Sequence, residues 1–264
     1  MNTGTRARLA RIGTDGRYVV VPMDHGITLG AVDGLRELES TVESITRGGA
    51  DSVLTQKGVA DRVHPNKNTA GYIVHLNGST ALGPDETDKR QTATVEDALR
   101  AGADAVSFHI NVGSEHEREQ LEALAAVTGD AHRLGLPVLA MAYVRGHDVS
   151  ATDPAAVAHA VRIAEELDAD LVKTAYTGSA ESFEPVVEAT NLPVLIAGGK
   201  PDTDRETLAA VGGAVEAGGA GVSMGRSIFQ HDDPEAITAA VSSVVHDGHT
   251  PEAALRAAGL AVEA

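Results

Sequence analysis

The sequence predicts a single-domain α/β protein, a (β/α)8 or TIM barrel, and three observations carry that prediction. Eight short apolar runs alternate with stretches of helical periodicity along the 264 residues. The runs are continuously apolar, as expected of parallel strands covered on both faces. A weak repeat also recurs: Gly49-Ala50-Asp51-Ser52-Val53-Leu54, Gly102-Ala103-Asp104-Ala105-Val106-Ser107, Asp168-Ala169-Asp170-Leu171-Val172-Lys173 and Gly219-Ala220-Gly221-Val222-Ser223. Each copy places a tight helix-to-strand turn before a small or apolar strand, about every second unit. Eight such units fill a chain of this length. An open doubly wound sheet would need a Gly-rich dinucleotide turn after its first strand, and Asp24-His25-Gly26-Ile27-Thr28 is not one.

In order, residues 3–11 suit a short helix, and 18–23 read as an apolar strand that ends in Asp24-His25-Gly26. Leu35, Leu38, Val42 and Ile45 recur at helical steps, and Gly48-Gly49 supplies the stop. Strands follow at 51–55 and 72–76, and Thr94-Val95-Glu96-Asp97 opens a helix with a capping-box pattern that closes at Gly102. Further strands are expected at 104–110, 137–143, 170–174, 193–197 and 220–224. Helices are expected at 115–134, 154–167, 181–189, 203–217 and 234–246. No linker or low-complexity segment divides the chain.

Composition narrows the function. There is no cysteine, which excludes disulfides, a thiolate nucleophile and Cys-metal sites. A net charge of −17 argues against nucleic acid as a partner. With no long apolar segment, no membrane partner is expected, and the protein reads as soluble and cytoplasmic. Many acids, few aromatics and only five lysines (57, 67, 89, 173 and 200) fit a halophilic host.

Lys173 ends a short apolar strand, an unusual place for a lysine unless its amine has a task. A lysine desolvated in an apolar pocket loses proton affinity and can attack a carbonyl to form a Schiff base. In barrels, chemistry gathers at the C-terminal strand ends. Those ends carry Asp24 and His25, Gln56 and Lys57, Asn77, His109 and Asn111, Tyr143 and Arg145, Lys173, Gly198 and Gly199, then Gly225 and Arg226. Tyr143 is a candidate proton donor and acceptor. Asp24 could cap the next helix, pair with a cation or assist carbinolamine formation. His25 and His109 lack ligand spacing of the His-x-x-x-His kind, so neither a metal nor any other cofactor is expected. Ala197-Gly198-Gly199-Lys200 and Met224-Gly225-Arg226-Ser227 present backbone N–H groups and an arginine fork where barrels commonly hold phosphate. Arg145 and Lys57 could form a second phosphate site or hold a carboxylate.

With these residues in view, the chain resembles the archaeal-type class I aldolase family, Schiff-base enzymes on (β/α)8 barrels. The carrying segments are Val21-Pro22-Met23-Asp24-His25-Gly26, Tyr143-Val144-Arg145-Gly146, Val172-Lys173-Thr174, Ala197-Gly198-Gly199 and Gly225-Arg226-Ser227-Ile228-Phe229-Gln230. Val144 stands where relatives usually have proline. Three further segments, Asn111-Val112-Gly113-Ser114, Thr174-Ala175-Tyr176-Thr177-Gly178 and Ile228-Phe229-Gln230-His231-Asp232-Asp233, resemble a transaldolase branch at the head of aromatic amino acid biosynthesis. A class I fructose-bisphosphate aldolase is the alternative. The resemblance implies a phosphorylated keto-sugar and an amino-acid aldehyde as substrates, and a ring-forming homo-oligomer such as a decamer. It implies catalysis by Lys173, Tyr143 and Asp24, and substrate binding by Asp24, His25, Gly26, Ile27, Thr28, Tyr143, Val144, Arg145, Lys173, Gly198, Gly199, Gly225 and Arg226. The phosphate is expected at the two glycine turns and Arg226.

Overall fold

A computed structural model describes residues 1–198 and 203–261. Eight parallel strands close into a barrel: β1 (Tyr18–Pro22), β2 (Ser52–Gln56), β3 (Gly71–His75), β4 (Ala105–Val112), β5 (Val138–Val144), β6 (Leu171–Thr174), β7 (Val194–Ala197) and β8 (Gly221–Ser223). Each strand pairs with the next, and β8 closes on β1 with Tyr18 opposite Gly221. The intervening helices are α1 (Leu38–Arg47), α2 (Ala60–Val63), α3 (Val95–Arg100), α4 (Glu117–Arg133), α5 (Pro154–Glu166), α6 (Ala180–Glu188), α7 (Asp204–Glu216) and α8 (Pro234–Asp247).

Strand alternation sends one set of side chains inward and the other towards the helices. Val20, Leu54, Ile73, Ala105, Leu139, Met141, Leu171 and Leu195 fill the barrel interior. The outward set, including Val19, Val53, Tyr72, Val106, Val172 and Val222, packs beneath the helix ring. An N-terminal helix, Thr3–Ile12, covers the end where the strands begin. Its Ile12 and Leu9 join the inner layer beside Tyr18, and Arg8 Nη1 donates to the Gly135 carbonyl at 3.0 Å.

The sequence repeat has a physical basis. Gly49, Gly102 and, one residue ahead of the fourth copy, Gly218 adopt φ values of +95°, +76° and +90° at helix-to-strand turns, a region costly for residues with a Cβ. Asp168 takes the same kind of position at φ +64°. The following aspartates bind the backbone of the preceding strand: Asp51 accepts from Val19 N at 2.7 Å, Asp104 from Tyr72 N at 3.1 Å and Asp170 from Val138 N at 2.9 Å.

The expected strands and long helices are present, with modest shifts at their ends. The helix expected from 35 begins at Leu38, because Gly34 at φ +78° holds a turn before it. β4 extends to Val112, since pairing with β5 continues through Asn111 opposite Tyr143 and Val112 opposite Val144. A small antiparallel ribbon, Asn77–Gly78 with Arg90–Gln91, lies in the β3–β4 connection, and a helix Pro251–Ala257 follows α8. One-turn helices at Gly26–Leu29 and Arg226–Phe229 follow β1 and β8. The ribbon and the one-turn helices are too short to leave a periodic signal, whereas the helix after α8 fits the expected C-terminal helices. No helix among the described residues is long and apolar enough to cross a membrane.

Candidate active site

A cavity of about 320 Å³ opens at the C-terminal strand ends and is lined by Asp24, His25, Thr28, Leu29, Glu86, Lys89, His109, Met141, Tyr143, Arg145, Lys173, Ala197, Gly198, Ser223, Gly225 and Arg226. Lys173 sits on β6 opposite Met141 and Leu195 and is only 7% exposed. Its neighbour Thr174 donates through Oγ1 to the Ala142 carbonyl at 2.9 Å, fixing β6 against β5.

Asp24 lies between two imidazoles, with Oδ1 3.6 Å from His25 Nδ1 and Oδ2 3.8 Å from His75 Nε2. Burial acts to raise its pKa, but His75, His25, Lys173 and a backbone hydrogen bond outweigh burial and hold the carboxyl below its ordinary range. Burial lowers the His75 pKa to about 4 against the pull of Asp24, and lowers His25 as well. Burial thus biases both imidazoles towards the neutral form. His109 is held well below its ordinary value by burial and by Lys89; its Nε2 donates to Asn111 Oδ1 at 2.9 Å.

Tyr143 faces this group. Its ring centroid is 5.0 Å from that of His109, and the Arg145 guanidinium carbon lies 5.1 Å from the Tyr143 centroid. On the other side of Lys173, Gly198 and Gly225 allow a close approach that a Cβ would block. At Gly198 it would meet Ser227 Oγ at 2.5 Å; at Gly225 it would meet the Pro22 carbonyl at 2.6 Å. Ser223 and Ser227 are buried, and their hydroxyls have no partner among the described residues. With Arg226 they form a polar cradle suited to an anion.

Of the residues expected to bind substrate, Asp24, His25, Thr28, Tyr143, Arg145, Lys173, Gly198, Gly225 and Arg226 converge on this cavity. Three do not. Val144 is buried in the outer core because alternation turns it away from the side on which Tyr143 and Arg145 lie. Gly26 is exposed, and Ile27 lines a neighbouring apolar groove. Gly199 lies outside the described residues. Lys57 is drawn off by Asp97 at 2.6 Å and borders that groove instead.

The strand-end amides are structural ties: Gln56 Nε2 donates to Asn77 O at 3.0 Å, and Asn77 Nδ2 donates to His109 O at 2.8 Å. Sequence reasoning missed Glu86, Lys89, His75, Ser223 and Ser227. A histidine closing the apolar run Tyr72-Ile73-Val74-His75 and the scarcity of lysine were the available signals.

A buried lysine facing a tyrosine and a carboxylate at the mouth of a barrel has the equipment for Schiff-base chemistry on a carbonyl compound. The chain belongs to the DeoC/LacD family aldolases, whose model matches residues 18–231. It is 64% identical over 263 residues to a 2-amino-3,7-dideoxy-D-threo-hept-6-ulosonate synthase of Halobacterium salinarum, covering 100% of this chain and 99% of that protein. It is 42% identical over 251 residues to a 2-amino-4,5-dihydroxy-6-oxo-7-(phosphonooxy)heptanoate synthase of Streptomyces griseus, covering 94% and 92%. Among solved structures it resembles an archaeal fructose-1,6-bisphosphate aldolase with the catalytic Lys covalently bound to the carbinolamine intermediate of its substrate. That match has a TM-score of 0.82 and 33% identity, covering 90% of this chain and 98% of that one.

Proposed function

We propose that the chain is a Schiff-base transaldolase, a 2-amino-3,7-dideoxy-D-threo-hept-6-ulosonate synthase. It takes 6-deoxy-5-ketofructose 1-phosphate and L-aspartate semialdehyde, releases hydroxypyruvaldehyde phosphate, and serves a route to 3-dehydroquinate and the aromatic amino acids. The observation that carries this reading is the buried Lys173 facing Tyr143 and Asp24 in one cavity, in a chain aligned end to end with the Halobacterium protein.

The Lys173 amine adds to the C5 ketone, and loss of water gives an iminium. The C3 hydroxyl passes its proton to Tyr143 as the C3–C4 bond breaks; the bonding pair moves to C4 and neutralises the iminium as an enamine. C3 leaves as the aldehyde of hydroxypyruvaldehyde phosphate. The enamine carbon then attacks the aldehyde of aspartate semialdehyde, Tyr143 returns its proton to the new hydroxyl, and water hydrolyses the iminium to free product and amine. Asp24 serves the addition and loss of water. The cradle of Gly198, Gly225, Ser223, Ser227 and Arg226 holds the sugar phosphate, and Gly199 is proposed to bind it as well.

The setting we propose is a high-salt cytoplasm, supported by 38 acidic against 21 basic residues and by the Halobacterium relative. The family resemblance supports a ring-shaped homo-oligomer. In molar KCl, the enzyme should transfer the ketone fragment to aspartate semialdehyde far faster than it cleaves fructose 1,6-bisphosphate, and dilute buffer should lower the rate. Borohydride added with the ketose phosphate should trap an adduct that Lys173→Met abolishes. Faster cleavage of the bisphosphate would hand the assignment to the aldolase alternative.

A further inference from the structure

The transaldolase reading leaves part of the cavity without a task. Lys173 stands on β6, between the β7–β8 cradle on one side and β5 on the other. Beyond β5 the ribbon in the β3–β4 connection brings in two charged side chains, Glu86 and Lys89, alongside Arg145. Neither Lys89 nor Arg145 has a carboxylate within ion-pair distance among the described residues, in a chain where many basic side chains do. Lys89 donates to Ser79 Oγ at 3.1 Å, and Arg145 Nη1 to the Val144 carbonyl at 2.9 Å. Two like charges facing one cavity repel each other, and an anion placed between them relieves that cost.

The ribbon is held firmly enough to present these groups. Thr87 O accepts from Asn111 Nδ2 at 3.0 Å and from Gln120 Nε2, while Ser79 Oγ donates to the Glu86 carbonyl at 2.7 Å. Asp85 pairs with His116 at 3.1 Å. The loop that carries Glu86 and Lys89 is thus fastened at several points on either side of Glu86. Burial works to lower the Lys89 pKa, opposed by Asp24 and Glu86 and aided by Arg145, so these four groups share one electrostatic neighbourhood.

With the sugar phosphate assigned to the cradle, the remaining charges to be recognised are those of the acceptor, an α-carboxylate and an α-ammonium. The cavity's acidic side chains are Asp24, which is committed to the lysine and two imidazoles, and Glu86. Resting on the transaldolase reading, we propose that Lys89 and Arg145 hold the carboxylate of the amino-acid aldehyde and Glu86 holds its ammonium. The aldehyde then points back towards Tyr143 and the enamine on Lys173. Carboxylate and ammonium are read by opposite charges a few residues apart on one anchored ribbon, so an aldehyde lacking either group leaves a charge in the cavity unpaired.

The test measures kcat/KM with three acceptors: aspartate semialdehyde, succinic semialdehyde, which lacks the ammonium, and 3-aminopropanal, which lacks the carboxylate. Glu86→Gln should lose roughly 10- to 100-fold with aspartate semialdehyde, the usual worth of a hydrogen bond to a charged group, and little with succinic semialdehyde. Lys89→Gln should lose a similar factor with both carboxylate-bearing acceptors and little with 3-aminopropanal, and Lys89→Arg should recover most of it. Equal losses on all three acceptors, or no loss on any, would overturn the proposal while the wild-type transfer rate upholds the transaldolase reading. A wild-type enzyme that transfers to none of them would instead remove the transaldolase reading and this subsite with it.

Discussion

Tyr143 shows how much a single position owes to its neighbours. Strand alternation sends Val144 into the outer core and leaves Tyr143 between the His109 ring and the Arg145 guanidinium, turned towards Lys173. In the proposed mechanism a proton relay held in this way needs no rearrangement when the C3–C4 bond breaks. Tyr143→Phe should therefore keep the borohydride-trapped adduct on Lys173 while turnover drops about 10²- to 10⁴-fold. Loss of the adduct itself would assign Tyr143 to imine formation. Lys173 was legible in the sequence because a lysine inside an apolar run is conspicuous. Lys89 was not, because its ribbon has two-residue strands and no apolar periodicity; only its polar ties to Asn111, Gln120 and Ser79 fold it over the mouth.

At the scale of elements, sequence patterning located all eight barrel strands, since each is a buried apolar run, several of them entered through a turn that needs a positive φ. The Thr94–Asp97 capping box forms as its residues suggest, with both reciprocal hydrogen bonds present. One-turn helices and the ribbon escaped notice because three or four residues contain no full period. The turn from α5 to β6 carries a feature that the repeat alone did not disclose. His132, in the last turn of α4, bridges Asp168 at 3.0 Å and Asp170 at 2.9 Å. Partial burial lowers its pKa, but the two carboxylates outweigh that and raise it above the ordinary value. A raised folded-state pKa stabilises fully below the unfolded-state value, and the gain disappears as pH climbs through the folded-state value. His132→Gln should accordingly lower the melting temperature more at pH 5.5 than at pH 9. An equal loss at both would show that the bridge acts through packing alone.

The molecule as a whole is a vessel with a stopper. The helix Thr3–Ile12 and the layer of Ile12, Leu9 and Tyr18 cover the end where the strands begin, and Lys173 opens into the cavity at the opposite rim. Every reagent of the proposed transfer must share that doorway, and both aldehydes must present their carbonyl carbon at the same point beside Tyr143. Traffic is therefore sequential: the departing aldehyde has to clear the threshold before its successor can reach the enamine. In kinetic terms this is a turnstile, with the enzyme waiting between halves as a covalent enamine. Double-reciprocal plots at several donor concentrations should run parallel, and added hydroxypyruvaldehyde phosphate should compete with aspartate semialdehyde; intersecting lines would mean that the two aldehydes pass one another inside.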